Sequence, residues 1–165
     1  MKTLYLMRHA KSNWSFDDLS DEQRPLNDRG RDDAPRMGQA LAARNIHLDL
    51  LLASTAVRSL TTAALVAKEI DYPHEQIEVR PEIYHAEPMA LLRVIRNSPD
   101  AAQSVLLVGH NPGISELANL LSPNHLSEEM TTSAIVCLHF QTERWTDVDT
   151  QNAEFYFLDS PRERK

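Results

Sequence analysis

The chain has 165 residues, the size of one domain, and a domain of this length buries roughly 70% of its unfolded surface. Its 24 acidic and 17 basic residues give a formal net charge of −7, which argues against a broad nucleic-acid-binding surface, because such surfaces are basic. An apolar run of about 18 residues and a signal peptide are both missing, so we expect neither a membrane span nor export. The single cysteine, Cys137, cannot form an internal disulfide, and we therefore expect a reducing, cytoplasmic location.

Strand-like apolar runs alternate with helix-like runs along the chain, a pattern typical of an α/β layer fold with a largely parallel sheet. The last two strand-like runs follow one another with only a polar turn between them, which predicts a mixed sheet. The predicted elements in chain order are strand 3–7, helix 27–44, strand 48–53, helix 56–70, strand 77–79, helix 89–97, strand 104–108, a helix starting near residue 112, and strands 133–140 and 153–159.

The segment between the first strand and the first helix is polar and acidic and has no useful periodicity. We interpret residues 13–24 as a surface loop beside the end of the first strand. Asn27 is a suitable N-cap for the helix that follows, and Pro35 lies inside that helix, where proline is unfavourable. Residues 1–159 are expected to form one domain, followed by a loose tail at residues 160–165.

Cationic and imidazole side chains follow three of the predicted strands. Arg8 and His9 end the first strand, Arg58 comes shortly after the second, and His110 follows the strongest apolar run. Ligand sites in open α/β sheets lie beyond the carboxyl ends of the strands, so we expect these side chains to meet at one edge. Two guanidinium groups, two imidazoles and the amides of a helix starting near Pro112 suit a phosphoryl group.

Several motifs occur in a fixed order along the chain: "LMRHAKS", "ASTAVRSLTTA", "EIYHAEP", "VLLVGHNPGISELA" and "TTSAIVCLHF". Together they resemble the histidine phosphatase superfamily with its phosphoglycerate-mutase-like fold, and within it the short phosphohistidine phosphatases of the SixA type. The resemblance covers nearly the whole chain. It implies a three-layer α/β/α sandwich with a mostly parallel central sheet and no lid domain, and hence an open, shallow groove.

The resemblance also implies a role for each residue at the strand ends. His9 attacks phosphorus and becomes transiently phosphorylated, Arg8 and Arg58 hold the phosphoryl oxygens, and His110 adds a further donor. The chemistry of the residues is consistent with these roles. A nucleophilic imidazole has to be neutral with one nitrogen free, whereas arginine keeps its proton at any working pH.

Further polar residues are predicted around this site. Ser12 and Asn111 are candidates for additional contacts to phosphate. The proton donor is open, because many relatives have a glutamate where "EIYHAEP" places His85. Glu82 and Glu87 are alternative donors, and a phosphohistidine substrate could also react with no donor, since imidazole is a better leaving group than an alkoxide.

Seven histidines raise the question of a metal site, but no HxH or HExxH spacing is present, and we expect no metal and no cofactor. The leading hypothesis is a metal-independent phosphatase that removes phosphate from phosphohistidine in proteins. We expect the enzyme to be a monomer and its partner to be a phosphorylated protein such as a histidine phosphotransfer domain. One alternative is a phosphatase for a small phosphomonoester. Another is a non-catalytic module that binds phosphoproteins, which the presence of His9 disfavours because binding alone needs no nucleophile.

Overall fold

The computed structural model describes residues 1–164, which form a six-stranded sheet with helices on both faces. No helix in this part of the chain is long and apolar enough to cross a membrane. The elements are β1 (Lys2–Arg8), α1 (Asp28–Ala43), β2 (Leu50–Ala53), α2 (Val57–Glu69), β3 (Glu78–Val79), α3 (Pro88–Arg96), β4 (Ser104–Gly109), α4 (Gly113–Leu121), β5 (Ile135–Phe140) and β6 (Ala153–Asp159).

The strand order in the sheet is β3-β2-β4-β1-β5-β6. The first four strands of this order are parallel to one another, whereas β5 and β6 are antiparallel to their neighbours. The predicted α/β fold with a mostly parallel, mixed sheet is therefore confirmed. Because β1, β2 and β4 are parallel, their carboxyl ends all lie at the same edge of the sheet.

Alternate residues of the central strands pack into two separate hydrophobic cores. Leu4 and Leu6 of β1 face the core that contains α3 and α4, and Tyr5 and Met7 face the core that contains α1 and α2. The central strands are apolar throughout because both of their faces are covered. The fold is thus the expected sandwich of three layers.

The start of α1 follows the predicted capping chemistry. The side chain of Asn27 accepts a hydrogen bond from the Gly30 amide at 2.8 Å, and the helix continues through Pro35. A Cβ atom on Gly30 would lie 2.2 Å from the carbonyl oxygen of Lys11. Glycine therefore lets α1 pack directly against the backbone that follows β1, which fixes that backbone beside the sheet edge.

The segment after β6 differs from the predicted loose tail. Residues Pro161–Arg164 form a short 3₁₀ helix, and Ser160 and Pro161 are buried. Proline and serine at this point pack against the body of the protein, whereas composition alone favoured a solvated end. Lys165 lies outside the described residues, and the division of the chain at residue 159 stays a prediction.

Candidate active site

The carboxyl ends of the parallel strands bring the predicted residues into one depression of about 360 Å³. Strand register explains the convergence, because Arg8 of β1 lies beside Gly109 of β4, so that His9 and His110 follow side by side. Their ring centroids are 5.1 Å apart. The residues that line the depression are Arg8, His9, Lys11, Ser12, Trp14, Asp21, Arg58, His85, His110, Asn111 and Thr132.

The imidazole of His9 is buried and held in one orientation. Its Nδ1 lies 2.7 Å from the carbonyl oxygen of Ala10. A carbonyl only accepts, so Nδ1 carries the proton and Nε2 keeps its lone pair. Burial lowers the pKa of His9 to about 4, with Arg58 and Arg8 acting in the same direction and the bond to Ala10 opposing them. The imidazole is therefore neutral at pH 7 and can act as a nucleophile.

The guanidinium of Arg58 is almost fully buried and is paired with a carboxylate. Its Nη2 lies 2.9 Å from Oδ2 of Asp21, and its Nη1 donates to the Asp21 carbonyl oxygen at 2.6 Å. Tyr84 also donates its hydroxyl to Oδ2 of Asp21. Burial raises the pKa of Asp21, but the hydrogen bonds from Tyr84 and Arg58 outweigh this effect and hold that pKa well below its usual range. Asp21 is thus ionised and balances one positive charge in the depression.

Arg8 retains hydrogen-bonding capacity that the protein does not use. Its Nη1 donates to the carbonyl oxygen of Met130 at 3.1 Å. Its Nε is buried and has no hydrogen-bond partner within residues 1–164. Burial also lowers the pKa of Arg8, and Glu129 partly offsets this effect. A buried donor without a partner is costly, so an anion in the depression would satisfy a group that is otherwise unpaired.

His110 is buried between two serine hydroxyls and Arg58. Its Nε2 lies 2.7 Å from Oγ of Ser54 and 3.3 Å from Oγ of Ser59, and its Nδ1 lies 3.4 Å from Nη2 of Arg58. Burial lowers the pKa of His110 to about 3, assisted by His9 and Arg58. Hydroxyl groups can donate or accept, so Ser54 and Ser59 permit either tautomer. A guanidinium nitrogen can only donate, so Nδ1 of His110 accepts from Arg58 and the ring proton is on Nε2. A contact from His110 to a phosphoryl oxygen stays a prediction.

His85 is the one member of the "EIYHAEP" segment that lines the depression. Its Nε2 lies 3.2 Å from Nη2 of Arg58 and 3.3 Å from Oδ2 of Asp21, and its ring stacks on Tyr84 with centroids 4.1 Å apart. Its backbone is left-handed, with φ of 48°. A histidine rarely adopts this conformation, and such strain is often found at functional sites.

The two alternative proton donors are placed differently. Glu82 is exposed and lies 3.9 Å from Arg80, and Glu87 is an exposed residue at the start of α3. Neither lines the depression.

A Cβ atom on Gly113 would lie 1.9 Å from the Ala86 carbonyl oxygen, so the start of α4 and the "EIYHAEP" segment pack in direct backbone contact.

Ser12 and Asn111 lie at the depression but differ in how free their side chains are. Asn111 donates to the Met130 carbonyl oxygen at 2.9 Å and accepts from the Ser115 hydroxyl at 2.6 Å. Its amide therefore holds the segment before β5 in place, beside the same carbonyl that Arg8 contacts. Ser12 is buried and its backbone pairs with Leu26. A contact from either side chain to phosphate stays a prediction.

Asp21 and Tyr84 are the residues of this network that the sequence analysis missed. Asp21 lies in the segment interpreted as a surface loop, and several other acidic residues in that segment made it inconspicuous. The only available signal was its position in a polar loop close to Arg8 and His9.

Among residues 1–164, no group of three or more histidine, cysteine, aspartate or glutamate side chains is arranged to hold a metal ion.

Comparison with known proteins identifies relatives along the whole chain. The family model of the histidine phosphatase superfamily, branch 1, matches residues 4–87. An uncharacterized protein of Mycobacterium tuberculosis is 33% identical over 94% of this chain and 100% of its own length. The phosphohistidine phosphatase SixA of Escherichia coli is 29% identical over 80% of this chain and 81% of its own length.

Solved structures show the same relationship in three dimensions. A structure of the protein histidine phosphatase SixA complexed with tungstate matches with a TM-score of 0.79 and 25% sequence identity, and the match covers 99% of both chains. The predicted phosphoglycerate-mutase-like fold and the predicted class of enzyme, a phosphatase hydrolase, are thereby confirmed. By its motifs, its fold and these relatives, the chain belongs to the histidine phosphatase superfamily.

Proposed function

We propose that the protein dephosphorylates phosphohistidine on a partner protein, through a covalent phosphoryl intermediate on His9 and without a metal ion. The observation that carries the proposal is the state of His9. Its imidazole is neutral, its Nδ1 is occupied by the Ala10 carbonyl, and its Nε2 is free in a depression that Arg8 and Arg58 also line. Binding alone needs no such nitrogen, which argues against a non-catalytic module.

The reaction consists of two displacements at phosphorus. The lone pair of His9 Nε2 forms a bond to phosphorus while the bond from phosphorus to the substrate imidazole breaks. Arg8 and Arg58 stabilise the charge on the phosphoryl oxygens, and His110 is expected to add a further donor. The departing imidazole takes a proton from water or from His85. Water then attacks the phosphorylated His9, which releases inorganic phosphate and restores the free lone pair.

The lack of a suitable carboxylic acid favours a phosphohistidine substrate over a phosphomonoester. An alkoxide leaving group needs a strong proton donor, whereas an imidazole leaves readily. Glu82 and Glu87 lie outside the depression, and Asp21 inside it is ionised by its contacts with Arg58 and Tyr84. His85 is the remaining candidate. A site with this composition suits a leaving group that departs without a strong proton donor.

A parallel turnover assay tests the proposal. The enzyme is given a protein phosphorylated on histidine, for example a histidine phosphotransfer domain, and a panel of alkyl and aryl phosphomonoesters. We expect kcat/KM for the phosphohistidine protein to exceed that for every alkyl ester. A higher kcat/KM for an alkyl ester would favour the small-ester phosphatase instead. Absence of turnover on all substrates, with retained binding of the phosphoprotein, would favour the binding module.

A further inference from the structure

A second depression adjoins the catalytic one, and its lining has three cationic side chains and one carboxylate, that of Asp33. We call it the basic groove; its volume is about 200 Å³, and Lys11, Arg29 and Arg162 contribute to its lining. Lys11 and Thr132 line both depressions. An anion in the basic groove would therefore lie next to a phosphoryl group bound at the catalytic depression.

The basic groove keeps a positive excess in a chain whose net charge is −7. Arg29 lies 3.4 Å from buried Asp33, and Arg162 lies 3.3 Å from Glu128. Lys11 is exposed and makes no ion pair or side-chain hydrogen bond with any residue of the range 1–164. All three cations are exposed, and their charges outnumber those of the two carboxylates that pair with them.

The position of Lys11 relative to the nucleophile is fixed by the backbone. Lys11 follows His9 by two residues, and its carbonyl oxygen accepts from the Asn27 amide at 2.9 Å. The same carbonyl packs against Gly30 of α1, as described above. The distance between the catalytic depression and the basic groove is therefore set by rigid elements, which suits recognition of two anionic groups with a defined separation.

We propose that the basic groove binds a carboxylate side chain of the protein that carries the phosphohistidine, so that substrates with an acidic residue near the phosphorylated histidine are preferred. This inference rests on the proposed function. Arginine and lysine form strong charge-assisted hydrogen bonds with carboxylates. A small phosphate ester would be accommodated by the catalytic depression alone, whereas a protein surface can cover both depressions.

A feature on the catalytic depression itself also fits a protein substrate. Trp14 lines that depression and is 68% exposed. The guanidinium of Arg24 lies 3.9 Å from the centroid of its ring. Exposed tryptophan is frequent among the residues that dominate protein–protein binding, and it has no evident use in holding a phosphate.

Two short phosphohistidine peptides that differ only in charge test the inference. One carries Asp on both sides of the phosphohistidine, and the other carries Asn at the same positions. The quantity measured is the ratio of their kcat/KM values, for wild type, Lys11→Gln, Arg29→Gln and the double variant. Lys68→Gln is the matched control, because Lys68 is an exposed lysine in the last turn of α2 and lines neither depression.

We expect wild type and Lys68→Gln to prefer the Asp peptide equally. Each substitution in the basic groove should reduce that preference about threefold, as expected for loss of an exposed ion pair, and added salt should reduce it in wild type. Equal kcat/KM for both peptides in wild type, or an undiminished preference in the double variant, would overturn the inference while leaving the proposed function intact. If neither peptide is hydrolysed, the proposed function fails, and the inference fails with it.

Discussion

Two groups of side chains line the catalytic depression, named here the buried side and the exposed side, and they differ in how firmly they are held. The buried side consists of His9, Arg58 and His110. The hydrogen-bond partners of His9 and His110 come from residues at strand ends and at the start of α2, and Arg58 is held by Asp21 of the segment before α1. The exposed side consists of His85 and Trp14, which are exposed and belong to irregular segments. The buried side would contact the phosphoryl group, which every substrate shares. The exposed side would contact the leaving group, which differs among substrates, so substitutions there should change selectivity more than rate.

The largest effect is expected for the nucleophile on the buried side. His9→Asn should lower kcat by a factor of roughly 10⁴ or more on every substrate, since the contacting nitrogens of His85 and His110 are occupied by Arg58 whereas Nε2 of His9 is not. Circular dichroism should show an unchanged fold, because the side chain lies at a strand end and outside both hydrophobic cores. Turnover at the wild-type rate would rule out the covalent mechanism.

The two arginines that line the depression, Arg8 and Arg58, should come next. Arg8→Ala and Arg58→Ala should each cost on the order of 3 kcal/mol of transition-state stabilisation, or about 100-fold in kcat/KM. The loss should be similar for phosphohistidine and for ester substrates, because both contain the phosphoryl group. Arg58→Ala also leaves the Asp21 carboxylate without its main partner, so it should be the more harmful of the two. Near-native rates in both variants would remove the arginines from the reaction.

A selective effect is expected on the exposed side. His85→Asn keeps a residue that tolerates the left-handed backbone, and it should lower hydrolysis of alkyl esters by up to about 100-fold, within the range of general acid catalysis. Hydrolysis of phosphohistidine should fall much less. Glu82→Gln and Glu87→Gln are matched controls that should leave both rates unchanged. Equal, small losses on both substrates for all three variants would mean that "EIYHAEP" contains no proton donor.

The positions of the residues at the strand ends could be predicted from the sequence, whereas the contacts that Asp21 makes with Arg58 could not. Arg8, His9 and His110 directly follow apolar runs that are long enough to identify as strands, and the register of parallel strands then brings them together. The partnership of Asp21 with Arg58 joins residues 37 positions apart. It depends on how an irregular loop folds back over the sheet edge, and periodicity carries no information about that path.

The segment after β6 is a second feature that the sequence did not predict. Polar and charged composition after β6 predicted a loose end, but Ser160 and Pro161 are buried in the folded protein. Burial of so short a segment depends on the shape of the surface that it meets. Composition describes the segment alone, so it cannot predict this contact.

A further effect is a dependence of stability on pH that comes from the buried side. The pKa values of His9 and His110 are lowered to about 4 and about 3. Between about pH 6.5 and pH 4 the unfolded chain binds protons that the folded chain does not, so the free energy of unfolding falls as the pH falls. Each histidine contributes a slope of up to about 1.4 kcal/mol per pH unit. Urea unfolding across this range should give a shallower slope for His9→Asn than for wild type; equal slopes would indicate that His9 titrates normally.

Direct detection of the phosphorylated enzyme tests the central claim about His9. The enzyme is mixed with a phosphohistidine protein carrying a labelled phosphoryl group and quenched in alkali within one turnover, and the enzyme is then digested and sequenced by mass spectrometry. We expect the label on His9, attached at Nε2, and none in the His9→Asn variant. Label on His85 or His110, or complete turnover with no labelled enzyme at any quench time, would contradict nucleophilic catalysis by His9.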